Sequence, residues 1–101
     1  MIILKNGFRI EFIEEKWSQN VKVIYGFKND NIFFSTDTCL FKLSLSITGM
    51  DMCYYKSIIF EENNVLLNPF ELPFGMYIVE IVSGDIQFAK YKLDVSRKLL
   101  F

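Results

Sequence analysis

The sequence predicts an all-β protein, an antiparallel β-sandwich of seven to nine short strands, and three observations carry that prediction. β-branched and aromatic residues alternate with polar ones at a spacing of two over most of the chain. Polar or glycine-containing turn clusters recur at roughly 8–12-residue intervals, the spacing of strands in a sandwich or barrel. No stretch combines a 3.6-residue apolar period with helix caps over any length.

Each element follows from local chemistry. Asn6-Gly7 sits between apolar runs, and because both residues tolerate positive φ it predicts a hairpin, with Phe8, Ile10 and Phe12 alternating against Arg9 and Glu11 after the turn. Glu14 to Asn20 is polar apart from Trp17 and reads as a loop; a helix over 12–19 lacks an N-cap. Val21, Val23, Tyr25 and Phe27 form the next strand, which Gly26 interrupts with an expected bulge. Asn29-Asp30-Asn31 turns into Ile32-Phe33-Phe34. The longest alternation is Thr38 to Thr48, with Cys39, Phe41, Leu43, Leu45 and Ile47 on one face. Gly49-Met50-Asp51 should turn into a strand over 52–60. Glu61 to Asn64 then turns into Val65-Leu66-Leu67. After a connection bracketed by Pro69 and Pro73, the clearest hairpin closes the chain: Met76–Val82, Ser83-Gly84-Asp85, and Ile86–Val95. Its second strand should turn Ala89, Tyr91, Leu93 and Val95 inward, and Lys90, Lys92 and Asp94 outward.

Length and composition set the bounds. A chain of 101 residues fits one domain, 1–101, since independent cores usually need ~100–200 residues. With 51% hydrophobic residues, eleven phenylalanines, five tyrosines and one tryptophan, it carries more apolar surface than a small interior readily absorbs, so part of it is expected to meet a partner. Net charge is −1 with both signs interspersed, leaving no basic stripe for nucleic acid and no polybasic segment for an anionic membrane. The opening residues do not read as a signal peptide, and no apolar run approaches the ~18 residues that span a bilayer. Lysine (nine) far outnumbers arginine (two) and alanine occurs once, the bias of an A/T-rich coding sequence.

Chemistry is sparse. There is no histidine, which removes the commonest general base, the Ser–His and Cys–His nucleophile pairs, and the usual zinc and iron ligand. Glu14-Glu15 and Glu61-Glu62 are sequence neighbours that diverge on a strand and solubilise a turn. No metal site, catalytic group or cofactor cradle is predicted; the five glycines are isolated. Cys39 and Cys53 fall on adjoining predicted strands. With a turn centred on Gly49-Met50 they stand about seven residues out of register, roughly 24 Å at ~3.4 Å per residue, against a limit of ~7 Å for bridged Cα atoms. Two reduced, largely buried thiols are therefore expected. The residues with partner-facing chemistry are Trp17, Tyr54 and Tyr55, whose rings have polar tips, and the apolar end Leu99-Leu100-Phe101.

The segment Leu72-Pro73-Phe74-Gly75-Met76-Tyr77-Ile78-Val79-Glu80-Ile81, a short polar turn and a final strand resembles the closing hairpin of immunoglobulin-like sandwich modules. Small domains of this kind occur on the capsids, head fibres and tail fibres of tailed phages. The matching residues are Leu72, Pro73, Gly75, Tyr77, Val79 and Ile81; the immunoglobulin disulfide flanking a buried tryptophan has no counterpart, because Trp17 precedes both cysteines. The resemblance implies a non-enzymatic structural subunit of the virion, made in the host cytoplasm, whose partners are other capsid or fibre proteins and itself. The alternatives are a carbohydrate- or protein-binding module and a small cytoplasmic regulator or inhibitor adding an edge strand to its target.

Overall fold

The computed structural model describes residues 1–17, 21–37 and 42–97. Nine strands are formed among them: β1 (Ile2–Lys5), β2 (Phe8–Trp17), β3 (Val23–Lys28), β4 (Asn31–Thr36), β5 (Ser44–Gly49), β6 (Tyr55–Ile59), β7 (Asn64–Leu67), β8 (Gly75–Ser83) and β9 (Ile86–Arg97). A 3₁₀ turn at Pro69–Glu71 precedes β8, capped by the Asn68 side chain, which accepts from the Phe70 N–H. All pairings are antiparallel, in a six-stranded sheet ordered β1-β2-β9-β8-β5-β6 and a three-stranded sheet ordered β3-β4-β7. Strands β3–β9 make a three-on-four sandwich, and the β1–β2 hairpin extends the larger sheet along β9.

Three of the connections are two-residue turns and a fourth such turn closes the Glu61–Asn64 bridge ahead of β7, and their backbone angles explain their residues. Asn6-Gly7 (φ 52° and 81°), Asn29-Asp30 (51° and 65°) and Glu62-Asn63 (49° and 72°) have both central residues left-handed, the type I′ pattern that matches strand twist. Gly84 (φ 59°) takes the first central position between Ser83 and Ile86, as a type II′ turn requires.

The core is the alternation made three-dimensional. Ile10 and Phe12 of β2, Leu45 and Ile47 of β5, Tyr77, Val79 and Ile81 of β8, and Tyr91, Leu93 and Val95 of β9 meet Ile32, Phe34, Val65 and Leu67 of the smaller sheet, all buried. Each such side chain contributes ~1.5–3 kcal/mol on leaving water. At the centre Phe12 stacks on Tyr91 (4.8 Å between centroids), and Phe34 and Tyr25 pack against both. This quartet absorbs part of the aromatic excess.

Several sequence expectations require correction. β2 does not end in a loop at Glu14; it runs to Trp17 because β9 supplies a ladder throughout, and a bulge at Glu15 keeps the pairing despite the polar residues. Gly26 causes no bulge: β3 and β4 stay in register, and the Phe33 ring lies over the glycine, so that an added Cβ would fall 2.8 Å from Phe33 Cζ. The bulge is in β9 instead, at Phe88, where Ile81 pairs with Ala89 and Val82 with Gln87. The turn after β5 is longer than expected. It occupies Met50–Tyr54, with Met52 at φ 64° and the Asp51 carboxylate accepting the Cys53 N–H at 3.0 Å. Cys53 is consequently an exposed free thiol rather than a buried one. Cys39 and the early half of the long alternation, residues 38–41, lie outside the described residues.

Candidate interaction surface

The fold distributes exposed apolar side chains over its surface. On the outer face of the larger sheet, Ile2 and Leu4 of β1, Ile13 of β2, Met76 of β8, and Tyr55 and Ile59 of β6 are all exposed. Polar residues separate them: Arg9 pairs with Glu11 at 2.7 Å, and the Gln87 amide donates to the Glu80 carboxylate. On the outer face of the smaller sheet, Ile24 and Leu66 are exposed to either side of Phe33.

Among the described residues, β6 is one of the two edge strands of the larger sheet. Tyr55 is 69% and Ile59 60% exposed, with Lys56 and Ser57 open to solvent between them. Behind β6 a groove of 330 Å³ opens toward β7, lined by Ile58, Ile59, Glu61, Asn64, Val65 and Leu66. A second groove, of 470 Å³, lies at one end of the sandwich between the β5–β6 turn and the approach to β8. Met50, Asp51, Tyr54, Phe74 and Tyr77 line it. There Tyr54 meets Tyr77 edge-on at 5.5 Å. The Tyr77 hydroxyl donates to the Pro73 carbonyl. Burial, then the neighbouring Tyr54 and Asp51, push the Tyr77 phenol above its ordinary value.

The partner-facing residues expected from sequence do not form one platform. Tyr54 turns inward onto Tyr77, whereas its neighbour Tyr55 faces out from β6. Trp17, 60% exposed at the far end of β2, stands opposite Ala89. The ladder separates it from Tyr54 by four residues and four strands, roughly 14 Å by 19 Å at ~3.4 Å per residue and ~4.8 Å per strand. Leu99, Leu100 and Phe101 lie outside the described residues. Ser57 and Ile59, central to the open edge, escaped sequence reading because alternation marks a strand without saying whether it lies inside a sheet or at its rim.

Among the described residues, no group of three or more histidine, cysteine, aspartate or glutamate side chains could hold a metal ion. No helix among them is long and apolar enough to cross a membrane.

The architecture is that of an immunoglobulin-like β-sandwich. A corner in which a tyrosine at the start of a strand bonds back to the preceding backbone belongs to that class. A solved structure agrees: a DUF3244 family protein with an immunoglobulin-like β-sandwich fold from Bacteroides vulgatus superposes with a TM-score of 0.59, covering 87% of this chain and 99% of that one. At 13% identity the likeness concerns the fold alone. No family model and no curated protein matches the sequence.

Proposed function

We propose that this chain is a non-enzymatic interaction module that works by protein–protein contact along the larger sheet, and that it serves as a capsid-decorating or head-fibre subunit of a tailed-phage virion. The observation that carries the contact reading is the β6 edge, with Tyr55 and Ile59 exposed on a strand that has no neighbour on one side among the described residues. Such an edge is a template for another strand, and exposed apolar side chains beside it supply anchors. Contact of this kind works by area: ~800 Å² per partner suffices for specific docking, and a symmetric lattice multiplies weak contacts. The virion setting is supported by the closing-hairpin resemblance over 72–95 and by a sequence without histidine or a clustered nucleophile. Mass spectrometry of gradient-purified particles from the source tests it. The protein should co-purify with capsid or fibre proteins, and its absence rejects the setting.

A second reading is favoured by the groove beside Tyr54 and Phe74, whose aromatic lining next to the Asp51 carboxylate suits an oligosaccharide. A glycan array with no bound member removes it.

A further inference from the structure

We propose that the open edge of β6 receives a second copy of this chain, the two β6 strands pairing antiparallel about a two-fold axis at Ser57. This deepens the interaction reading above and rests on it.

The phase of the β5–β6 ladder fixes which backbone groups are available. The Gly49 N–H donates to the Tyr54 carbonyl at 2.9 Å and the Phe60 N–H to the Leu43 carbonyl at 3.0 Å. In an antiparallel ladder hydrogen-bonded pairs alternate with non-bonded ones. The pairs Leu45/Ile58 and Ile47/Lys56 are therefore the bonded ones between those ends, and Ser44/Ile59, Ser46/Ser57 and Thr48/Tyr55 are not. The N–H and C=O of Tyr55, Ser57 and Ile59 consequently point away from β5, three donors and three acceptors in register. No proline or bulge interrupts the strand. The other rim of the larger sheet and the β7 rim offer less. β1 has only Ile2 and Leu4 in the outward phase, because Met1 and Phe12 bond each other at its start. At β7 the Asn64 N–H and C=O are already paired with Glu61.

The occupant follows from the symmetry of the row. Antiparallel pairing centred on Ser57 sets each serine against its own copy. It also sets Tyr55 against Ile59 of the second copy, twice, so that all six outward groups are bonded. Aromatic against β-branched is a favourable cross-strand combination, here on the solvent face of both sheets. On the other face, Lys56 comes opposite Ile58 of the second copy. That is the mouth of the groove between β6 and β7, where Glu61 lines the wall. A cation from each copy thus meets an anion of the other, and the row is complementary to itself in shape, backbone phase and charge. Five residues a side make a small interface, below the ~1,200 Å² of stable complexes, so the dimer should dissociate on dilution.

Sedimentation velocity of the full chain over a dilution series tests this. The wild type should move from the 11.9 kDa of one chain toward twice that mass as concentration rises. Ser57→Pro removes an N–H that β5 does not use and should stay monomeric at every concentration, with circular dichroism confirming the fold. Lys56→Glu and Glu61→Lys should each weaken the dimer, and the double reversal should restore it; these variants decide the matter if Ser57→Pro does not fold. A wild type that is monomeric throughout, or a dimer that none of these substitutions alters, overturns the proposal. The virion setting falls by a different result, absence of the protein from purified particles.

Discussion

The Tyr77 hydroxyl donates a hydrogen bond to the Pro73 carbonyl four residues upstream, locking the corner from which β8 departs. Tyr77 is buried while Pro73 is exposed, so the bond ties a core side chain to a surface turn. Tyr77→Phe keeps the ring and loses the bond. It should cost about 1 kcal/mol in urea denaturation, the net worth of one such hydrogen bond, with the m-value unchanged.

A second pair couples across β3 and β4. With the Phe33 ring resting on Gly26, the aromatic face covers backbone that glycine leaves bare. Gly26→Ala forces the ring aside and should destabilise the wild type. In a Phe33→Ala background the same change should be neutral or stabilising, because alanine restricts the unfolded chain more than glycine does. A double-mutant cycle in denaturant should give a coupling of about 0.5–1 kcal/mol. Additivity would mean that the ring does not depend on the glycine.

The Tyr91 hydroxyl is buried without a hydrogen-bond partner among the described residues, in the middle of the aromatic quartet. Tyr91→Phe therefore removes an unsatisfied group and should leave stability unchanged or raise it by up to about 1 kcal/mol. Burial, and then Glu14 and Tyr25, push this phenol well above its ordinary 10.0. The folded state thus holds the proton more tightly than the unfolded chain. Stability should be complete below pH 10 and fall as pH rises beyond it, since only the unfolded chain ionises there. Tyr91→Phe should flatten that alkaline limb in a pH series of thermal melts; an unchanged limb would place the titration elsewhere.

Trp17, the one tryptophan, is exposed and distant from both Tyr54 and the groove beside it. Its emission should be that of a solvated indole in the folded protein. It should remain unchanged on adding oligosaccharides, even if a glycan occupies the groove. A blue shift with sugar would put the ligand at the end of β2.

The final hairpin and the Asn6-Gly7 turn were legible from residues 1–12 and 76–95 because apolar and polar residues alternate over much of both segments and their turns need left-handed residues. The architecture was legible for the same reason. The Gly49–Tyr55 segment was not. There an Asx turn at Asp51 adds residues before pairing resumes, and no alternation marks where a loop of that length ends. Glu14–Trp17 looked like a loop because its polarity reflects exposure, whereas its pairing is imposed by β9. Trp17 and Tyr55 are both exposed, but only topology separates them and puts Ser57 and Ile59 on a rim.

Residue-resolved amide hydrogen exchange along β6 reports whether the chain docks through this edge. In the dilute protein Lys56 and Ile58, whose N–H groups bond β5, should exchange slowly, and Tyr55, Ser57 and Ile59 quickly. In concentrated or particle-bound protein all five should be slow. If Tyr55, Ser57 and Ile59 exchange as open amides in every state, the edge is not the docking surface.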